Sequence, residues 1–275
     1  MPRRKVLITV TTYPLPSRSY DELVCTAGLL ENGEWIRIYP IPLSFLVGQR
    51  QSGKIESFKY TWIELELNKR TDDFRPESYS PQHYDFRDLL LHERIGTEGN
   101  WRSRKEICLR QVYTNLDQLI KDSESPTNRS LATFKPAEII KFEIEQDARD
   151  WKDEWLELRK QGQLFAPDNP PESQVRKLPY KFFYRFRDDS GRESRLMIED
   201  WEIGALYWNC LKAAEGNEEV ALARVREKYE EEFLMEKDIH LFLGTTKEWH
   251  MRRAKNPFVI IGVFYPKKET QLTMF

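Results

Sequence analysis

Residues 23–39 read LVCTAGLLENGEWIRIY. Two runs rich in β-branched and apolar residues, Leu23–Leu30 and Glu34–Tyr39, flank the turn Glu31-Asn32-Gly33. Asn-Gly between two such runs is a strong hairpin signal, because these residues accept the positive φ angles of a tight turn. The stretch therefore predicts a β-hairpin.

Further strands and one helix surround this hairpin. Lys5–Thr12 is apolar and β-branched, and Tyr60–Leu67 alternates between charged and apolar side chains, so both segments predict strands. Apolar residues recur every three or four positions over Arg104–Lys121, which predicts one amphipathic helix. Ile139–Glu145 returns to the strand pattern.

The second half of the chain repeats this layout. Tyr180–Phe186 and Ser194–Ile198 flank Asp188-Asp189-Ser190-Gly191 and predict a second hairpin. Glu218–Met235 predicts a long helix, and two buried strands, 239–243 and 258–264, follow it.

These elements predict an α+β protein of two small β-sheet or OB-like barrel units with inserted amphipathic helices. The Pro-rich stretch Ala166–Ser173 reads as a linker. We therefore expect an N-terminal unit at 1–165, a linker at 166–174, a C-terminal unit at 175–266 and a flexible tail at 267–275.

Two short stretches resemble a known class of proteins. GEWIRIYP at residues 33–40 and SLATFKP at residues 130–136 are similar to segments of uncharacterised prokaryotic proteins described as dual OB-fold domains. The resemblance implies nucleic-acid binding on barrel surfaces.

Composition limits the function classes. The chain has 275 residues, with 43 basic and 45 acidic residues, so it has no general cationic coat, although a local basic face stays open. Its three cysteines and four histidines form no metal-binding spacing. No stretch is apolar enough to span a membrane. We expect a soluble cytoplasmic protein without a metal or cofactor.

Two predicted strands carry aromatic and basic side chains that suit single-stranded nucleic acid, because rings stack on bases and cations follow phosphates. The alternative is an ordinary strand with one buried and one charged face. The candidate nucleic-acid-binding residues are Trp35, Arg37, Tyr39, Lys181, Arg185 and Arg187.

Signals for catalysis are few. Asp200 and Glu202 follow a predicted strand and are the catalytic candidates, since paired carboxylates can bind Mg²⁺. The competing interpretation makes Asp200 a helix N-cap with Glu202 in the first turn. The chain has no Walker loop, dinucleotide glycine pattern, Ser-His-Asp motif or zinc signature.

The last five residues are Gln271-Leu272-Thr273-Met274-Phe275. They resemble the pentapeptide with which bacterial polymerases and replication regulators bind the sliding clamp, with Thr273 in place of the more usual Ser or Asp. The resemblance implies that Gln271 hydrogen-bonds the pocket rim, Leu272 enters one apolar subsite, and Met274 with Phe275 fills the other. The alternative is a tail that folds back onto its own core.

The sequence thus predicts a DNA-associated adaptor that binds nucleic acid and recruits the sliding clamp in replication, repair or defence. Two alternatives stay open. One is a metal-dependent nuclease or nucleotide-processing enzyme, and the other is a protein-interaction module without nucleic acid. The sequence does not determine the type of nucleic acid, the oligomeric state or the pathway.

Overall fold

The computed structural model describes residues 3–13, 15–16, 22–42, 45, 57–151 and 176–269. The strands in these ranges are β1 (Arg3–Thr11), β2 (Leu15–Pro16), β3 (Glu22–Leu30), β4 (Trp35–Pro42), β5 (Thr61–Lys69), β6 (Ser78–Pro81), β7 (Leu90–Arg94), β8 (Val112–Tyr113), β9 (Leu131–Phe134), β10 (Glu138–Gln146), β11 (Tyr180–Arg187), β12 (Glu193–Met197), β13 (His240–Thr245) and β14 (Phe258–Phe264). The helices are α1 (Glu98–Cys108), α2 (Leu116–Asp122), α3 (Trp201–Ala213), α4 (Glu218–Arg226), a π-helical segment (Glu227–Glu232), α5 (Phe233–Glu236) and α6 (Lys247–Met251).

The first half of the chain forms a closed five-stranded barrel. Strand β1 pairs with β3 on one side and with β5 on the other, β3 pairs with β4, and β6 joins β4 to β5. The β4–β6 pair is parallel and the others are antiparallel. Counted along the barrel strands β1, β3, β4, β5 and β6, the order is 1-2-3-5-4-1, which is the order of an OB-like barrel.

The second half repeats this order. Strands β9 and β10, separated by residues 135–137, together act as the first strand, because β9 pairs with β13 and β10 pairs with β11. Strand β11 pairs with β12, and a parallel bridge from Ile198 to Ile260 joins the end of β12 to β14. Strand β14 pairs with β13 and closes the circuit. The predicted α+β fold of two OB-like units is therefore confirmed.

Each barrel has its own apolar interior. Alternate residues of β1 and β4, such as Val6, Ile8, Ile36 and Ile38, fill the first barrel, as expected for strands with one inward face. The second interior is covered by α3, α4 and the π-helical segment. It is rich in aromatic side chains from β9, β10 and β11 and from the covering α3 and π-helical segment. These aromatic residues are Phe134, Phe142, Phe182, Tyr184, Phe186, Tyr207 and Tyr229.

A third apolar cluster joins the two barrels. Leu7, Leu29 and Trp35 on the outer face of the first barrel pack against Phe242 and Phe264 of the second. The rings of Trp35 and Phe242 meet edge to face, with centroids 5.1 Å apart. The barrels therefore share a core between their outer walls.

Both predicted hairpins form. Gly33 and Gly191 occupy their turns with φ of 86° and 82°, a conformation that glycine adopts without steric cost. The helix predicted over Arg104–Lys121 is wrong in its middle, because Val112–Tyr113 is extended and pairs with β9. Asn115 then caps α2 by accepting a hydrogen bond from the Gln118 amide.

The predicted linker at 166–174 and the motif at 271–275 lie outside the described residues. Strands β9 and β10 pair with strands that follow residue 180, so residues 131–146 take part in the second barrel. The predicted helix at 218–235 is observed as α4, the π-helical segment and α5 in succession. Within the described ranges, no helix is long and apolar enough to cross a membrane.

Candidate functional site

A cleft of about 510 Å³ lies between the two barrels. Its first wall consists of the outer faces of β3 and β4, the end of β1, and the loop between β5 and β6. Its second wall consists of the start of β11, the end of β12, the end of β13 and part of β14. The volume falls within the range of roughly 300–1,000 Å³ typical of ligand sites. The first wall is also the strand face and loop that OB folds use for ligands.

The floor of the cleft is apolar. It combines side chains from the ends of strands in both barrels, where the shared apolar cluster opens toward solvent. The apolar floor residues are Val10, Ala27, Leu178, Phe182, Met197, Ile198, Val259 and Ile261. A floor of this kind favours a flat, apolar ligand surface.

Charged side chains around this floor are mainly basic. Six basic and three acidic residues line the cleft, in a chain whose overall net charge is −2. The basic residues are Arg37, Arg70, Arg75, Lys177, Lys181 and Lys247; the acidic residues are Asp73, Asp147 and Glu199. The cleft is therefore a local concentration of positive charge.

Two buried arginines fasten the barrels together at one side of the cleft. Nη1 of Arg37 donates to Oγ of Ser78 at 3.1 Å and to Oγ of Ser130, in the second barrel, at 2.9 Å. Arg75 forms an ion pair with Asp73 at 2.6 Å and donates to the Thr245 carbonyl at 2.7 Å. These contacts cross from one barrel to the other. We call the polar contacts between the two barrels the seam.

Burial and ion pairing determine the pKa values of the charged groups at this seam. Burial lowers the pKa of Arg37, because the charged guanidinium loses solvent. Burial alone would raise the pKa of Asp73, but the hydrogen bonds and charge of Arg75 outweigh it and hold that pKa below its usual value. Glu77 accepts from the amide of Ser130 at 3.0 Å and from its hydroxyl at 2.7 Å, which links Glu77 to Arg37 through Ser130.

The basic residues near the opening are less constrained. Arg70 pairs with Asp72 at 2.6 Å and lies 5.3 Å from the ring centroid of Tyr39. Lys181 pairs with Asp147 at 3.1 Å, and its side chain is 45% exposed. Lys247 donates to the Asp72 carbonyl, and its side chain is 42% exposed. Lys181 and Lys247 can exchange their partners for a ligand at little cost, since exposed ion pairs are worth little.

Glu199 is the acidic residue of the cleft whose carboxylate has no partner among the described residues. Its backbone is fixed from both sides: the amide donates to the Ile260 carbonyl at 2.7 Å, and the carbonyl accepts from the Tyr13 amide at 3.0 Å. Burial raises the pKa of its side chain. By contrast, Asp73 and Asp147 are each paired with basic residues.

The candidate residues of β4 divide between core and cleft. Trp35, Arg37 and Tyr39 share the outer face of the strand, with Ile36 and Ile38 inside the barrel, as predicted. The second barrel buries most of Trp35, which stays 9% exposed, and it supplies hydrogen-bond acceptors to Arg37. Tyr39 is half-buried and lines the cleft.

The candidate residues of β11 divide in the same way. Lys181 lines the cleft. Arg185 pairs with Glu143 on β10 at 2.9 Å, and Arg187 pairs with Glu138 at 2.6 Å and Glu193 at 2.7 Å. These two arginines belong to a ladder of cross-strand ion pairs on the outside of the second barrel.

Asp200 caps helix α3, as the second interpretation of this pair in the sequence predicted. Its side chain accepts a hydrogen bond from the Glu202 amide, and Glu202 lies in the first turn. Lys59 lies 2.6 Å from Glu202 and 3.7 Å from Asp200. Their charges outweigh burial and raise the pKa of Lys59 well above its usual value. The described part of the chain contains no group of three or more metal-ligating side chains.

Sequence reasoning did not identify Arg70, Arg75, Lys247 or Glu199 as site residues. The first two lie in a loop that carries no local motif, and they face the cleft because this loop joins the fourth and fifth strands of a barrel. Glu199 precedes the Asp200 and Glu202 pair that drew attention in the sequence. Its orientation depends on the bridge between Ile198 and Ile260, which the sequence does not indicate.

Comparison with known proteins places the chain in a family. The model of a domain of unknown function, DUF8757, matches residues 112–275, which is more than half of the chain. The chain belongs to the DUF8757 family. A second domain of unknown function, DUF8758, matches residues 2–110, so the boundary between the two matches falls between α1 and β8. Among curated proteins, none matches the chain.

Two solved structures are similar to the chain over most of its length. One is a murine DNA-binding protein bound to double-stranded DNA, with 9% identity, a TM-score of 0.32, and coverage of 98% of this chain and 97% of that one. The other is the tetrameric p202 HIN2, with 8% identity, a TM-score of 0.30, and coverage of 98% and 92%. Because these TM-scores are low, the OB-like assignment rests on strand order.

Proposed function

We propose that this protein binds single-stranded nucleic acid in the cleft between its two barrels and recruits the bacterial sliding clamp through residues 271–275. The cleft supports the first part of the proposal. It combines an apolar floor, the ring of Tyr39 and six basic side chains, three of them on the strand face and loop that OB folds use for ligands and three on the opposite wall.

A single strand fits these features better than a duplex. Bases can enter an apolar cavity only when they are unpaired and unstacked, whereas the bases of a duplex present only their edges in its grooves. The exposed cations Lys181 and Lys247 lie on the second wall, and Arg70 lies on the first. A strand crossing the opening would therefore have its phosphates between cations from both barrels.

The distribution of charge also favours this location. The basic residues of the outer ladder, Arg185 and Arg187, are neutralised by glutamates of neighbouring strands. The cleft instead has twice as many basic as acidic residues. A polyanion is therefore attracted to the cleft more strongly than to the outside of the second barrel.

The pentapeptide Gln271-Leu272-Thr273-Met274-Phe275 supports the second part of the proposal. Its apolar residues stand at the positions of the clamp-binding pattern, and the polar stretch Lys267–Thr270 connects it to the last strand. Affinity would be modest, because ordering such a peptide costs conformational entropy that offsets the burial of three apolar side chains.

The nucleic-acid proposal is tested with a labelled oligo-dT strand, by fluorescence anisotropy at several salt concentrations. Lys181→Ala and Lys247→Ala should each weaken binding and reduce the magnitude of the salt slope by about 0.7, the value of one phosphate contact in a single strand. The matched control is Arg185→Ala, which removes the same charge from the same face of β11 at nearly equal exposure, 43% against 45%.

The control should bind as the wild type does. Equal weakening in Lys181→Ala and Arg185→Ala would locate binding outside the cleft. Tighter binding of a duplex of the same sequence would contradict the preference for single strands. Absence of binding at low salt would contradict the nucleic-acid proposal itself.

The clamp proposal is tested by a pull-down with purified bacterial sliding clamp. Leu272→Ala combined with Phe275→Ala should abolish capture, because each apolar subsite loses a large side chain, whereas Thr273→Ser should keep it. The melting temperature should stay unchanged in both variants. Retained capture in the double variant would refute clamp recruitment, and a lower melting temperature would favour a tail packed on its own protein.

A further inference from the structure

We infer that the cleft binds one unpaired guanine base and that Glu199 recognises it through the Watson–Crick edge of the base. This inference rests on the proposed binding of single-stranded nucleic acid and specifies which base enters the cavity. Its basis is the one carboxylate in a mainly basic cleft that has no partner among the described residues.

The position of Glu199 makes it suitable for recognition. It lies two residues after the third strand of the second barrel, β12, where the Ile260 carbonyl and the Tyr13 amide hold its backbone in place. Its neighbour Ile198 belongs to the apolar floor of the same cavity. A base lying on that floor would therefore present its edge near an acceptor with a fixed backbone.

The other acidic residues of the cleft cannot take this role without losing existing contacts. Asp73 accepts from Arg75 at 2.6 Å, and Asp147 is paired with Lys177 at 2.7 Å and with Lys181 at 3.1 Å. Glu199 has no such partner in the described part of the chain. Burial of this carboxylate, for which the described residues supply no donor, carries a desolvation cost that a ligand with N–H groups would relieve.

Guanine is the base whose donors match a carboxylate. Its N1–H and N2–H groups lie side by side on one edge and can donate in parallel to the two carboxylate oxygens. Adenine and cytosine offer a single amino group beside a ring acceptor. Thymine offers one imide N–H between two carbonyl oxygens, which a carboxylate repels. The expected order of preference is guanine first and thymine last.

The experiment uses 12-residue oligo-dT strands that carry one central substitution, with binding measured by fluorescence anisotropy. The central nucleotide is dG, dT, deoxyinosine, which lacks the N2 amino group, or 7-deaza-dG, which keeps both donors. Wild-type protein should bind the dG and 7-deaza-dG strands roughly tenfold more tightly than the dT strand, as a bidentate base contact provides. Deoxyinosine should lose most of this preference.

The variant Glu199→Gln should reduce the ratio of dG to dT affinity to about one. Glu138→Gln, on the outer ladder, is the matched control and should keep the wild-type ratio. If Glu199→Gln does not fold, the comparison of deoxyinosine with 7-deaza-dG on wild-type protein still tests the same contact.

Outcomes separate this inference from the proposal on which it rests. Equal affinity for all four strands, or an unchanged ratio in a folded Glu199→Gln protein, would overturn guanine recognition and leave single-strand binding in place. If the protein binds none of the strands, including unsubstituted oligo-dT, both single-strand binding and the inference are overturned.

Discussion

The two barrels have the same strand order but use the equivalent face in different ways. In the first barrel, the outer face of the second and third strands carries Ala27, Trp35, Arg37 and Tyr39 and lies against the other barrel or the cleft. In the second barrel, the same face carries a ladder of partly exposed ion pairs around the buried ring of Phe183, and Lys181 and Met197 reach the cleft.

Side-chain chemistry explains this difference. An apolar face with one buried arginine gains free energy when another protein surface covers it. A face of paired charges would lose its solvation if it were covered, and the pairs would not regain that cost. The same fold therefore provides one wall for association and one for solubility.

The largest expected effect comes from Trp35→Ala, which removes the ring that the second barrel covers. Loss of a buried Trp should lower the free energy of unfolding by about 3–5 kcal/mol. The matched variant is Phe183→Ala, on the equivalent face of the second barrel, where the equally buried ring lies under the flexible side chain of Arg195, which can fill part of the space left. Its cost should be roughly 2 kcal/mol.

Urea unfolding of both variants measures this comparison. Equal losses of unfolding free energy would mean that the shared core contributes no more stability than an outer face. A broad or two-step transition in Trp35→Ala alone would show that the barrels unfold separately once the ring is removed.

The second prediction concerns buried charge at the seam. Burial raises the pKa of Asp200 to about 6, despite the nearby Lys59, while the pKa in the unfolded chain is about 3.8. Between these two values the folded protein binds more protons than the unfolded chain, so the contribution of Asp200 to stability rises as pH falls from 7 to 4. Asp200→Asn removes this titration and keeps an N-cap side chain.

The measurement is the difference in unfolding free energy between wild type and Asp200→Asn at pH 4, 5, 6 and 7. As pH falls, the free energy of unfolding of the wild type should rise relative to that of the variant by up to about 3 kcal/mol, since one pKa unit corresponds to about 1.4 kcal/mol. Acid effects of the groups with lowered pKa, such as Asp73 and Glu218, are common to both proteins and cancel. A difference independent of pH would contradict the raised pKa.

Local sequence patterns predicted most of the strands, but they predicted none of the contacts at the seam between the two barrels. The alternation in Tyr180–Phe186 and the Asn-Gly turn depend on residues close in sequence, so they predicted the hairpins correctly. Lys59 and Glu202 are 143 residues apart, and their contact exists only after both barrels have formed. The helix expected over 104–121 failed for the same reason, because pairing with β9 outweighs the helical pattern at Val112–Tyr113.

The candidate site was predicted in part. The pattern of β4 placed Tyr39 on the correct face, but it could not show that the second barrel covers Trp35. On β11, the alternation grouped Lys181 with Arg185 and Arg187, although the glutamates that neutralise the arginines come from β10 and β12. Distinguishing these residues requires knowledge of neighbouring strands.

The third prediction tests the polar link between the barrels. Ser130→Ala removes the hydroxyl that joins Arg37 to Glu77 and leaves a buried guanidinium and carboxylate each short of one partner. The free energy of unfolding should fall by about 1–3 kcal/mol. Ser103→Ala on the exposed side of α1 is the control and should stay within about 0.5 kcal/mol of wild type. Equal effects would show that the link adds no stability.

The smallest effect should come from the outer ladder. Arg187 has two carboxylate partners, Glu138 and Glu193, but its side chain is 41% exposed. Exposed pairs contribute little, because solvent and salt screen them and ordering the side chains costs entropy, so Arg187→Ala should lower the free energy of unfolding by less than about 1 kcal/mol. In 1 M NaCl the difference from wild type should shrink further, since the screening length falls to about 3 Å. A loss as large as that of Ser130→Ala, unchanged by salt, would mean that the ladder contributes to stability as the seam does and would remove the distinction between the two faces.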